Sequence, residues 1–358
     1  MTNSSKIRAV AAAAGACAAL FASVSANAYV HAVSKLDVKN LDIGVFASNG
    51  IKGTTSGGDI GAATNYTFNL SNNASYTPPG GPTLSDTSLG LSTSCSGIAG
   101  GATTCGTPKG APVSPILDAK VANAPGLTSA RAENNFAVLG ALPGTSYSNA
   151  DSQITTAKLV QGGTTSTTQI AESLLNVNGV AKANTEVKST TTLALTLTSV
   201  SAFDLSLSFD ALLTLMGEIT DPLGGFYTAQ GNSTVLFTLT QNGNSNNKWS
   251  WTPNGTGATC LGGTGVGLST CTVLADGGNL QDGNSISSTP DSFDNSFAGF
   301  KNFGILLDGL AAGTYSLSLT ATTTSLADRT YVPEPGSLAL VGLALAGLGF
   351  AGKRRSRK

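Results

Sequence analysis

Across its second half the chain alternates apolar and polar residues at a period of two, and this pattern restricts what it can fold into. Phe203, Leu205, Leu207 and Phe209 alternate with Asp204, Ser206, Ser208 and Asp210. Leu193, Leu195 and Leu197 are separated by Ala194 and Thr196, and Tyr315, Leu317 and Leu319 by Ser316 and Ser318. Val235, Phe237 and Leu239 keep the same spacing, as do Trp249 and Trp251. Successive side chains of a strand point to opposite faces, so each run puts its apolar set on one face and leaves the other wet. Earlier strands are expected over 36–46 and near 65–70. Wet alternate positions favour antiparallel pairing. Many short strands between Gly- and Asn-rich turns predict an all-β fold, an antiparallel β-sandwich of jelly-roll or Ig-like type, in one domain over 29–331.

Two stretches interrupt this pattern. Residues 76–126 are rich in Pro, Gly and Ser, with Pro78-Pro79-Gly80-Gly81-Pro82 as the clearest loop signal, and read as a loop-rich insertion. Residues 164–183 read as one short helix, with Ile170, Leu174 and Leu175 on one side and Gly179 as its stop. No repeat of 20–50 residues is present, which argues against a solenoid.

Both ends of the chain carry targeting signals. Lys6 and Arg8 precede an Ala-rich apolar stretch over 9–24, and Ala26-Asn27-Ala28 supplies small residues for cleavage between Ala28 and Tyr29. Residues 1–28 therefore read as a secretory signal peptide. At the other end, Val332-Pro333-Glu334-Pro335-Gly336-Ser337 leads into an apolar run over 338–352 and then into Lys353-Arg354-Arg355-Ser356-Arg357-Lys358. As a helix the apolar run would measure about 22 Å, short of the ~30 Å hydrocarbon core. The basic cluster would stay on the cytoplasmic side. This tripartite tail, 332–358, resembles the PEP-CTERM sorting signal. The resemblance implies a transmembrane segment over 338–352 that holds the exported chain transiently in the inner membrane. It implies cleavage near Pro333, Glu334 and Pro335 by exosortase, a membrane protease. It also implies a Gram-negative host that makes exopolysaccharide, and a destination on the cell surface or in the extracellular matrix.

A second likeness covers the chain from Thr190 onward. Leu205-Ser206-Leu207-Ser208-Phe209-Asp210-Ala211, Trp251-Thr252-Pro253-Asn254-Gly255 and Leu310-Ala311-Ala312-Gly313-Thr314-Tyr315-Ser316-Leu317 resemble the EDSAP-type family of exosortase-dependent surface-anchored proteins. The Pro-rich insertion and the cysteines depart from that pattern. The likeness bears on location and architecture and assigns no chemistry to particular residues.

Charge and cysteine content narrow the partners. The chain holds 19 basic and 20 acidic residues, but seven of the basic ones lie in the two targeting segments. Removing those segments leaves twelve basic residues against 19 or 20 acidic ones, a net charge of −7 or −8. Such a Lys-poor surface has no electrostatic footprint for nucleic acid and matches anionic lipid poorly. Cys17 leaves with the signal, and Cys95, Cys105, Cys260 and Cys271 remain. An even number in an exported chain predicts disulfides. Of three connectivities, the local one is expected, Cys95 with Cys105 and Cys260 with Cys271. Neither pair has CxxC spacing and no histidine lies near, which disfavours a metal.

Motifs for catalysis are scarce. One histidine excludes a His-rich zinc site, and GxSxG, P-loop and HExxH patterns are absent. Gly263-Thr264-Gly265-Val266-Gly267-Leu268 has Leu where a dinucleotide loop needs its last Gly. A Ser/His/Asp triad would need His31, next to the expected mature terminus where order is often poor. Ser245-Asn246-Asn247-Lys248 fits SxxK but sits in a turn region. Asp204 and Asp210, about 20 Å apart on one strand, read as a solvated face rather than a glycosidase pair. Asp276, Asp282, Asp291 and Asp294 crowd a Gly/Asn-rich region where calcium would find oxygen ligands, although turn-forming Asp accounts for the same letters. Trp249 and Trp251 share one side of a strand. They are either core or, with Tyr227 or Phe226 nearby, a platform for sugar rings. The expectation is a non-enzymatic exported surface or matrix protein associated with exopolysaccharide or biofilm. A carbohydrate-binding module using Trp249 and Trp251 is second. An extracellular hydrolase, with carboxylates meeting from distant strands, is third.

Overall fold

A computed structural model describes residues 29–48, 55–59, 63–78, 80–85, 92–97, 116–120, 136–140, 146–155, 165–195, 202–220, 225–257, 260–262, 270–287, 290–331 and 343–344. The expected signal peptide and nearly all of the sorting tail, with its expected transmembrane segment, lie outside them. No helix among the described residues is long and apolar enough to cross a membrane.

Among the described residues the seventeen elements of the fold are strands, numbered β1 to β17 in chain order, and they form two antiparallel sheets. The first runs β13 (Thr270–Asp276), β16 (Lys301–Leu310), β10 (Phe203–Ile219), β1 (Val30–Ser48), β8 (Thr165–Leu175), β7 (Tyr147–Thr155), β6 (Ile116–Lys120). To it are added β15 (Asp291–Asp294) on β10 and β2 (Thr55–Asp59) on β1. The second runs β12 (Asn244–Trp251), β11 (Gly225–Gln241), β17 (Gly313–Tyr331), β9 (Gly179–Leu195), β3 (Ala63–Thr77), β4 (Leu84–Ser85). Here β14 (Gly283–Ile286) joins β11 and β5 (Ser92–Gly97) joins β3. The sheets stack face to face. They are wider than the seven to nine strands of an immunoglobulin pattern or the eight of a jelly roll. Seventeen-residue strands such as β10 and β11 make the stack about 55 Å long.

The alternation predicts the interior correctly. In β10, Phe203, Leu205, Leu207, Phe209, Ala211, Leu213 and Leu215 point inward, and Val235, Phe237 and Leu239 of β11 meet Leu317 and Leu319 of β17 in the same core. A second, smaller cluster of Val30, Ala32, Ala74, Tyr76, Ala150, Ala171, Leu175, Ala181, Ile219, Tyr227, Ala229 and Ala327 fills the other end.

Two expectations need correction. The predicted helix over 164–183 is instead β8 and β9, joined by a turn. Residues 169–175 of β8 are all buried, because both faces of the strand are covered, so period two is erased and the apolar residues imitate a helix. Gly179 opens β9 with φ 148°, and a Cβ there would lie 2.4 Å from the Tyr76 ring. The insertion over 76–126 is less separate than its composition suggests: β5 pairs with β3 and β6 with β7, so it extends both sheets.

Candidate functional site

The expected signal segment and the sorting tail adjoin the same end of the stack. Val30 pairs with Ile219 and with Leu175, and Gly225 pairs with Tyr331. The first described residue, Tyr29, is tied to this end by hydrogen bonds to Thr220 and Glu218. Its main-chain N–H donates to Thr220 Oγ1 at 3.0 Å. Its carbonyl accepts from the Thr220 N–H at 3.0 Å. Its hydroxyl donates to Glu218 Oε2 at 2.6 Å. Burial, then this hydrogen bond, then the Glu218 charge push the Tyr29 phenol up to about 12. The expected signal cleavage at Ala28–Tyr29 would therefore fall at the start of ordered pairing. The tail follows directly on β17, whose last residue is Tyr331. This junction end also carries two of the exposed large apolar side chains, Phe226 at 76% and Val177 at 41%.

Behind the junction lies a buried polar network centred on Glu172, which sequence reasoning does not single out. The carboxylate meets His31 Nε2 at 2.9 Å and accepts from Tyr147 Oη at 2.8 Å. It also accepts from the main-chain N–H groups of Leu139 and Gly140, each at 3.1 Å. Residues 136–140 are thereby held over β7 and β8. His31 is not in a loose terminus, as expected, but buried in β1. Its Nε2 lies 2.9 Å from Glu172 Oε1, so the imidazole is engaged by a carboxylate within the fold. No local signal marks Glu172: the two partners are 141 residues apart.

Trp249 and Trp251 lie in the apolar core, at 3% and 1% exposure. The Trp251 ring lies 6.2 Å from that of Phe209, and the Trp249 ring 6.3 Å from that of Tyr315. The sugar-platform reading is therefore replaced by the core reading, since enclosed rings offer no face to a ligand. Tyr227 is buried too, while Phe226 is open.

Cys260 and Cys271 form the expected disulfide, with Cα atoms 5.7 Å apart. Cys95 lies on β5 and Cys105 outside the described residues, so their pairing stands as an expectation. Asp276 accepts from the Gly255 N–H, Asp282 from the Gly283 N–H and Asn295 Nδ2, Asp291 from the Ser292 N–H and Asp294 from the Ser296 N–H. These four carboxylates brace turns and strand ends, and no metal-binding group of three His, Cys, Asp or Glu forms among the described residues. Asp204 is not solvated as expected: it is 1% exposed and accepts from the Gly309 N–H at 3.0 Å. Asp210 is held by Asn40 and Asn302. Ser245 and Lys248 both lie on strand β12, not on the helix that an SxxK site needs. The Gly263–Leu268 run lies outside the described residues.

Residues 332–355 match the family model of the PEP-CTERM protein-sorting motif. No curated protein matches the chain. A solved structure of infectious bursal disease virus, Gx strain, aligns with 89% of this chain and 86% of its own at 9% identity, but its TM-score of 0.09 carries no argument. The matched segment holds Pro333, Glu334 and Pro335, the apolar run and the start of the basic cluster. The C-terminus is thus a PEP-CTERM sorting motif, which makes the chain an exported protein, anchored in the membrane before exosortase processes it.

Proposed function

We propose that the protein is a non-enzymatic component of the cell surface or extracellular matrix of a Gram-negative bacterium, associated with exopolysaccharide. The observation that carries this reading is the sorting motif at 332–355, which begins immediately after the last strand ends at Tyr331. Cleavage near Pro333–Pro335 would cut the chain just after the last strand of the two-sheet unit. The resemblance to the EDSAP-type family agrees with this destination. An unreactive role is supported by the bracing bonds on the described aspartates and by the Glu172 partner of His31. Association with a neutral, hydroxyl-rich polymer is supported by the outer face of the second sheet. There Asn69, Ser71 and Asn73 of β3 and Thr234 of β11 are exposed, beside Ser316, Ser318, Thr320, Thr322 and Thr324 of β17.

The test replaces Pro333, Glu334 and Pro335 with Ala in the native host. The expected result is full-length protein held in the membrane and lost from the matrix fraction. Unchanged release would overturn the sorting reading. Release of reducing sugar from host polysaccharide by purified protein would overturn the non-enzymatic reading in favour of a hydrolase.

A further inference from the structure

We infer that the junction end of the stack is a lipid-docking surface, on which Phe226 and Val177 enter the headgroup region while the tail is anchored. The inference rests on the anchored state described above. Six residues, 332–337, separate Tyr331 from the start of the apolar run. Fully extended they span about 21 Å, which is the farthest this end stands from the hydrocarbon. The signal segment connects to the same end through Tyr29. The surface so constrained bares two large apolar side chains, Phe226 being the most exposed of those among the described residues. Phe226 projects from β11 opposite Thr330, one residue from the last pair of β17. Val177 sits in the turn between β8 and β9, two strand spacings away, about 10 Å. An exposed aromatic beside water is costly in solution and favourable at a membrane interface.

Local charge selects the kind of lipid. Glu218 is engaged by Tyr29, His31 by Glu172, and Arg329 is buried. Burial pushes the carboxyl of Asp328 up, against the pull of Lys182. No cationic cluster faces the bilayer from the described residues, so the surface fits zwitterionic rather than anionic headgroups.

The test uses the full chain reconstituted in phosphatidylcholine vesicles with brominated acyl chains, which quench nearby indoles. Trp251 pairs with Phe237, eleven residues along β11 from Phe226, about 36 Å away, so the wild-type emission is a built-in control. Phe226→Trp exchanges one exposed aromatic for another and is compatible with folding. Leu236→Trp, on the same face and 41% exposed at wild type, is the matched control far from the junction. The expected result is loss of the added emission in F226W and none in L236W or wild type. Equal emission from F226W and L236W would overturn the docking surface, with the end standing clear of the bilayer. Quenching that requires co-reconstituted exosortase would also overturn it, assigning the end to the protease. Failure of all three proteins to float with the vesicles would overturn the anchored reading itself, a result distinct from the other two.

Discussion

The two ends of the stack are built on different chemistry. Away from the junction, the large core is made of Leu, Phe, Trp, Tyr, Val and Ile, with only Ala211 and Ala321 as small members. At the junction, seven of the twelve residues in the core are Ala, and around them are buried Ser, Asn, Asp, Gln, His and Glu. At about 25 cal/mol per Å² of apolar area, an alanine side chain contributes far less on burial than Leu or Phe. Directional bonds take over part of that role. Ser173 meets Ser325 across the sheets at 2.8 Å, Ser152 donates to Asn72 at 3.0 Å, and Ser34 donates to the Asn232 carbonyl at 2.7 Å. Each such bond contributes a net ~1 kcal/mol, while a buried polar group left unmade costs more. Among the described residues, Asn149 and Gln169 have no hydrogen-bond partner for either amide atom, and in the far core the Trp249 and Trp251 indole N–H groups have none. The far end therefore holds most of the stability, and the junction end is the part that opens first.

Truncation of the far core is the largest way to break this contrast. Trp251→Ala is expected to cost about 3–5 kcal/mol in urea unfolding, because it leaves a cavity against Phe209. A loss under 1 kcal/mol would show that the indole is not core. Next, Cys260→Ser with Cys271→Ser removes a cross-link eleven residues apart, for an expected loss of just under ~3 kcal/mol. Its effect should appear in global unfolding and leave the junction unchanged. Glu172→Gln acts at the other end: it weakens the hold on His31, Leu139 and Gly140, with about 1–3 kcal/mol for each donor stranded. Hydrogen exchange should speed up at Leu139 and Gly140 while the Trp251 amide keeps its protection. Equal acceleration at both ends would show that they open together.

The smallest effect concerns Tyr29. Its folded phenol lies at about 12, above the ordinary value of 10. Its contribution to stability is therefore complete below pH 10 and is lost as pH rises through 12. In Tyr29→Phe the phenolate step near pH 12 should vanish from the absorbance titration. Its persistence would show that the step does not belong to Tyr29; burial also raises the phenols of Tyr76 and Tyr315.

What the sequence made legible follows the same division. β10, β11 and β17 are covered by the opposite sheet on one face only, so their alternation reads directly. β8 is covered on both faces, and its pattern passed for a helix. Strands β5 and β6 hide in a Pro/Gly-rich stretch because their order depends on pairing with β3 and β7 rather than on local propensity. The Cys260–Cys271 bond is local and was readable, whereas His31 and Glu172 meet only through the pairing of β1 with β8. Asp204 looked solvated because parity alone placed it with the wet set, but the register shift between Phe203 and Leu205 in the pairing of β10 with β16 brings it under Gly309. The sorting motif was legible for another reason: a protease reads it along the chain, without a fold.

Intact mass spectrometry of the protein from the host's surface fraction tests the account most directly. Processing at both ends predicts a chain that starts at Tyr29, ends within Pro333–Pro335 and is lighter by two hydrogens for each disulfide. A chain that still ends at Lys358 and stays in the membrane would contradict it.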